Sequence, residues 1–118
     1  MSIIDLLPGD AHLTSLAAGH VIFAQGDPGD VMYVVVEGEV QVLIDGKPVE
    51  RIGSGGIVGE MALIDAGARS ATAITKTNCL VVAVDERSFK DLITRRPEFA
   101  IQVMQVLARR LRRMDSER

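Results

Sequence analysis

Four apolar, β-branched runs follow one another between Val21 and Ile52 with only short turns between them. Val21–Phe23 leads into a turn cluster, Gln25-Gly26-Asp27-Pro28-Gly29-Asp30, where glycine and proline punctuate the chain. Val31–Val36 has the β-branched and aromatic character of a strand, and Glu37-Gly38 turns it back into Val40–Ile44. Asp45-Gly46 is a two-residue hairpin signal, and Lys47–Ile52 returns from it. Parallel strands need a crossover of about a dozen residues or more, which these turns do not supply. The stretch is therefore committed to antiparallel pairing in a barrel or jelly roll.

The flanks read differently. Ile3, Ile4, Leu6, Leu7, Leu13 and Leu16, interrupted by Pro8-Gly9-Asp10, predict a short helical N-terminal segment that ends at Ala17-Ala18-Gly19. Beyond Ile52, Ser70–Thr75 alternates small and polar residues, Lys76-Thr77-Asn78 turns, and Cys79–Val84 is a continuous apolar run expected to be a buried strand. Asp85 is placed to cap a helix from Glu86 to about Thr94, with Phe89, Leu92 and Ile93 on one face. Pro97 breaks that helix and suits the first turn of the next, which runs to about Met114. This last helix carries two apolar seams. Ala100, Met104, Leu107, Leu111 and Met114 form one, and Phe99, Val103 and Val106 form a shorter second. One can cover the barrel, leaving the other for a partner helix or a ligand lid.

At 118 residues, with 47% hydrophobic and 25% charged residues, the chain reads as one soluble globular domain. No apolar run approaches the roughly 18 residues of a membrane span, and the Met1-Ser2-Ile3-Ile4-Asp5 start lacks the features of a signal peptide. A lone Cys79 forms no internal disulfide, fits a reducing, cytoplasmic setting and reads as a buried small hydrophobe. Residues 1–90 hold six Lys/Arg against twelve Asp/Glu, a balance of −6, while residues 91–118 hold seven against four, or +3. The acidic body argues against non-specific nucleic-acid binding. Arg109, Arg110, Arg112 and Arg113 read as a solvated helix end that complements the helix dipole. His12 and His20 precede the barrel strands and lack the ligand constellation of a metal site. No phosphate-binding P-loop and no nucleophile–base arrangement is visible, so the chain is not expected to be an enzyme or to need a cofactor.

The chemistry concentrates between Gly59 and Ala73. After the glycine-rich Gly53-Ser54-Gly55-Gly56, Gly59 precedes Glu60 and a one-turn apolar run, Met61-Ala62-Leu63-Ile64. A flexible Ala-Gly-Ala then leads to Arg69, Ser70 and Ala71. Backbone N–H groups at the turn of Met61, Ala62 and Leu63 and the guanidinium of Arg69 suit a phosphate. Glu60 cannot bind a phosphate, but it can accept a hydrogen bond from a ribose hydroxyl. Phosphate with ribose points to a nucleotide. Gly59 would let the backbone approach the sugar, and small residues at Ala71 and Ala73 suit close ligand approach.

These residues resemble the phosphate-binding cassette of the cyclic nucleotide-binding domain family, in which Gly-Glu, an apolar pair or triplet, a spacer and Arg-small-Ala follow in order. Gly59, Glu60, Met61, Ala62, Leu63, Arg69, Ser70 and Ala71 occupy those places, with nine residues from Glu60 to Arg69. Val58 and Ala68 stand where the family often has Phe and Pro. The resemblance implies a mainly β fold with flanking helices: an eight-stranded antiparallel jelly-roll-like barrel over residues 20–85, an N-terminal helical segment over 1–19 and two C-terminal helices over 86–118. It implies binding of cyclic AMP or cyclic GMP without chemistry, Ser70 permitting either purine, and final-helix residues Leu107 or Leu111 closing over the base. The last helix resembles the one preceding the DNA-binding domain of catabolite-activator-type regulators. No helix-turn-helix is read after it, so a stand-alone regulatory module or a domain cut from a longer regulator, kinase or channel is expected, with no direct DNA binding and with a homodimer or partner contact through that helix. The alternative is a jelly-roll interaction module whose nucleotide site is idle.

Overall fold

Strand β4 (Val31–Glu37) sets the order of the layers, because its consecutive side chains enter two different cores. The computed structural model describes residues 2–65 and 67–116, with side chains through residue 113; Met1, Ala66 of the cassette spacer and the side chain of Met114 lie outside the described residues. Met32, Val34 and Val36 of β4 face one cluster, and Tyr33 and Val35 face the other. Strand β10 (Cys79–Asp85) divides in the same way, Val82 and Val84 to one side, Cys79 and Val81 to the other. This double burial is why both strands are nearly continuous in apolar residues.

Two four-stranded antiparallel sheets result. In the first, β10 lies between β1 (Thr14–Leu16) and β4, and β4 pairs on its far side with β7 (Ile57–Val58). The second has the order β2 (Val21–Phe23), β9 (Thr72–Thr75), β5 (Val40–Ile44), β6 (Lys47–Ile52). Val35, Val40, Ile52, Val58, Ala73, Cys79 and Val81 fill the space between the sheets. The outer face of the first sheet is covered by the helices α2 (Glu86–Arg95) and α3 (Pro97–Ser116) and by a 3-10 turn, Ile3–Leu6. The eight strands of the two sheets form the jelly-roll-like body expected from the sequence. A further ribbon of β3 (Pro28–Gly29) and β8 (Gly67–Ala68) lies outside it.

The local signals act as expected in several places. Asp45 and Gly46 take positive φ values of 52° and 77° to make the β5–β6 hairpin. Asp85 accepts a hydrogen bond from the Ser88 backbone N–H at 2.8 Å and caps α2. Pro97 occupies the first position of α3. Cys79 is buried between the sheets. No described helix is long and apolar enough to cross a membrane.

The N-terminal reading needs correction. Helical structure there is confined to Ile3–Leu6, and Thr14–Leu16 is instead strand β1, paired to β10 across Thr14↔Val81 and Leu16↔Cys79. The open edge of β10 supplies hydrogen-bond partners that a helix in this short, proline-interrupted segment would forgo. On α3, the shorter seam is the one that covers the body. Phe99 and Val103 are buried, whereas Met104 and Leu111 are 54% and 63% exposed.

Phe99 meets the Phe89 ring edge-on, with centroids 5.9 Å apart, and ties α3 to α2. Replacing it with Ala is expected to cost about 3–5 kcal/mol of stability, read from the urea midpoint. The Ser88 backbone hydrogen bond holds the Asp85 carboxyl below its ordinary 3.8. Because the folded pKa is the lower one, the stabilisation is intact above the unfolded value and is lost as pH falls through the folded value. Asp85→Asn is therefore expected to show a shallower loss of urea stability than the parent protein below about pH 4.

Candidate functional site

The cassette crosses from the first sheet to the second. It leaves β7, turns through Gly59 and Glu60 into the single helical turn α1 (Met61–Ile64), and returns through β8 to β9. The turn cluster at 25–30 grips the returning arm. Arg69 N–H donates to the Asp27 carbonyl at 2.7 Å, and Gly26 N–H donates to the Arg69 carbonyl at 2.8 Å. Gln25 N–H donates to the Thr72 hydroxyl at 2.9 Å, and the β3–β8 ribbon pairs Gly29 with Gly67. What the sequence reads as a loop is thus the rail that fixes the backbone of Arg69.

The Arg69 side chain is only 8% exposed. Its Nη1 donates to the Gly59 carbonyl at 3.2 Å and its Nη2 to the Val31 carbonyl at 2.8 Å. The guanidinium carbon lies 4.1 Å from the centroid of the Phe23 ring, which stacks in turn on Tyr33. Nε is buried and has no hydrogen-bond partner. Among the described residues, Arg69 makes no ion pair. A charged group so enclosed is met only by neutral carbonyls and an aromatic face, and it has a donor to spare for an anion.

Two glycines make room for it. A Cβ built on Gly29 would fall on the Nε and Cζ atoms of Arg69. A Cβ on Gly59, which has a φ of 79°, would lie 2.6 Å from Nη1 and 3.1 Å from the Phe23 ring.

Glu60 adjoins this point and is 2% exposed. Its Oε1 is ion-paired with Nη1 of Arg110, which reaches across from α3. Arg110 also engages Glu50 of β6 through Nε at 3.2 Å and the Ile57 carbonyl through Nη2 at 3.0 Å. Burial lowers the pKa of the Arg110 guanidinium, and the Glu50 carboxylate beside it opposes that shift. Arg110 is therefore not part of a solvated helix end, as the run of arginines had suggested. The sequence did contain its signal. Arg110 follows Val103 and Val106 at intervals of three and four, which continues the buried stripe of α3. A cation in line with an apolar stripe implies a buried anion opposite.

The other expected residues are distributed as follows. The Ala62 and Leu63 N–H groups close the turn onto the Gly59 and Glu60 carbonyls, at 3.2 and 3.1 Å, rather than pointing outward. One helical turn thus uses its own first donors to hold itself together. Met61 is 48% exposed, Leu63 packs against the helix-side core, Ser70 is exposed and Ala71 is half-buried beside β9. Of the two lid residues, Leu107 packs onto the helix-side core and Leu111 is exposed. Sequence reasoning missed Phe23, Gly29, Glu50 and Arg110. Chemically, the cassette offers recognition: a guanidinium for an oxyanion and a carboxylate for a hydroxyl donor.

Comparisons with known proteins bear on the family and the overall fold. The family described as "Cyclic nucleotide-binding domain" matches residues 13–96. The chain is 36% identical over 103 residues to the CRP-like cAMP-activated global transcriptional regulator of Mycobacterium tuberculosis, covering 83% of this chain and 46% of that protein. It is 36% identical over 104 residues to the cyclic AMP receptor protein of Thermus thermophilus, covering 84% of this chain and 48% of that protein. The chain thus spans about half the length of these relatives. The crystal structure of the Thermus thermophilus catabolite activator protein superposes with a TM-score of 0.83 at 33% identity, over 98% of this chain and 56% of that one.

The cradle around Arg69 gives a direct expectation. Gly29→Ala forces a methyl group into a guanidinium already pinned by two carbonyls, so overpacking should destabilise the protein by about 1–3 kcal/mol. Gly9→Ala, whose Cβ would meet nothing within 4 Å, should be neutral or stabilising by under about 1 kcal/mol. Parallel urea titrations of the two variants separate a clash from a general intolerance of alanine.

Proposed function

The chain belongs to the cyclic nucleotide-binding domain family, and on that premise we propose that it is a sensor which takes a cyclic nucleoside monophosphate into the Gly59–Ala73 cassette. Arg69 meets the cyclic phosphate, and Glu60 accepts the ribose 2′-hydroxyl. The observation that carries this reading is the enclosed guanidinium of Arg69, with no carboxylate partner among the described residues and with Nε unpartnered. A buried cation left without a counter-charge gains strongly from an incoming oxyanion, which brings charge and acceptors together.

Cyclic AMP is the favoured ligand. The names of the Mycobacterium and Thermus relatives both refer to that nucleotide. The exposed hydroxyl of Ser70 leaves cyclic GMP as the competitor. The domain acts by binding alone. Because Glu60 is held by Arg110 of α3, a ligand that engages Glu60 also biases the position of that helix, a shift between two states weighted by ligand affinity. The exposed Ile101, Met104 and Leu111 of α3 are the surface through which a second copy or a partner protein would receive the change.

Calorimetric titration with cyclic AMP and cyclic GMP tests the proposal. Micromolar or tighter binding is expected for the parent protein. Arg69→Ala should lose about 2–5 kcal/mol, the cost of truncating one side of a buried charge pair, or roughly 30- to several-thousand-fold in Kd. A folded parent protein that gives no heat with either nucleotide would leave the family fold serving as an interaction module instead.

A further inference from the structure

Arg110 is shared by two carboxylates, and only one of them belongs to the cassette. Its three nitrogens each have a fixed acceptor: Nη1 on Glu60, Nε on Glu50 at 3.2 Å, and Nη2 on the Ile57 carbonyl at 3.0 Å. Glu50 sits on β6, with its side chain 20% exposed, and also receives Arg113 at 3.6 Å. A guanidinium held at one edge can still roll about its stem. Bonds at Nε and Nη2 to two different strands remove that freedom and aim Nη1 at Glu60. Among the described residues, Arg110 is the partner that orients the Glu60 carboxylate, since the helical turn that Glu60 precedes takes no side-chain cap from it.

We infer that Glu50 is a positioning residue for sugar recognition: by fixing the roll of Arg110 it sets the direction in which Glu60 presents its carboxylate to a ribose hydroxyl. The inference rests on the proposed role of Glu60 as the acceptor for that hydroxyl. Glu50 does not touch the ligand. It acts through Arg110, and the Glu50–Arg110–Glu60 chain joins β6, α3 and the cassette in one rigid relay.

A residue that merely fastened α3 to β6 would weaken all ligands alike. A residue that aims Glu60 affects only ligands that carry the hydroxyl. The test therefore compares cyclic AMP with 2′-deoxy cyclic AMP on the parent protein, Glu50→Gln and Arg110→Lys, by calorimetry. The parent should prefer the ribonucleotide by roughly 10- to 100-fold, as for one hydrogen bond to a charged group. In Glu50→Gln the preference should fall below about threefold, with affinity for the deoxy analogue unchanged within about twofold. Arg110→Lys keeps the charge but not the fork, so it should show the same collapse and serves as the test if Glu50→Gln does not fold. A parent-like preference in either folded variant overturns the inference, as does an equal loss of both ligands. A parent protein that binds neither nucleotide overturns instead the reading on which the inference rests.

Discussion

A carboxylate taken out of water has to be met by a cation, and here the cation arrives from fifty residues further along the chain. Glu60 at 2% exposure is paired with Arg110 of α3. Without that partner the cost of burying the charge would fall on the cassette itself. The position of the Met61–Ile64 turn and the position of the C-terminal helix are therefore not independent. Any force that draws Glu60 draws Arg110, and with it the stripe of Phe99 and Val103 that seals the outer face of the first sheet.

Arg69 stands in the opposite electrostatic condition. It is almost as buried as Glu60, but its surroundings are carbonyl dipoles and the Phe23 ring. The two charges flank the same glycine, one satisfied from within the fold and the other open to a counter-ion from outside. A buried cation without a counter-charge marks a candidate site for an anion, whereas the Glu60 pair already ties the cassette to α3. The glycines at 29 and 59 serve both by keeping Cβ atoms out of the space that the guanidinium occupies.

Much of this was legible before any coordinates. The strand succession from Val21 to Ile52, the Asp45-Gly46 turn, the Asp85 cap and the Pro97 helix start each have a local cause, so reading them needs only neighbouring residues. Glu60 and Arg69 were legible because their spacing and glycine context are a contiguous pattern. Thr14–Leu16 was misread as helical because its partner, the edge of β10, lies more than sixty residues away. Arg110 was misread for a related reason. Its neighbours Arg109, Arg112 and Arg113 make a charged run, and the run hid the helical phase that turns only one of them inward. Phe23 and Gly29 belong to a loop whose function appears only when the returning arm of the cassette is laid against it. What the sequence concealed was in each case a pairing between distant segments.

The β4–β10 ladder has a consequence for how the domain comes into being. It joins residues 31–37 to residues 79–85, so the whole cassette lies inside the loop that this ladder closes. Closing so long a loop is an entropic cost met before the enclosed contacts can form. During synthesis, β10 must follow the cassette out of the ribosome, and Arg110 emerges later still. The polypeptide thus carries Glu60 and Arg69 for some time before it has the frame to hold them, and the residue that completes the Glu60 pair is made fifty residues after it.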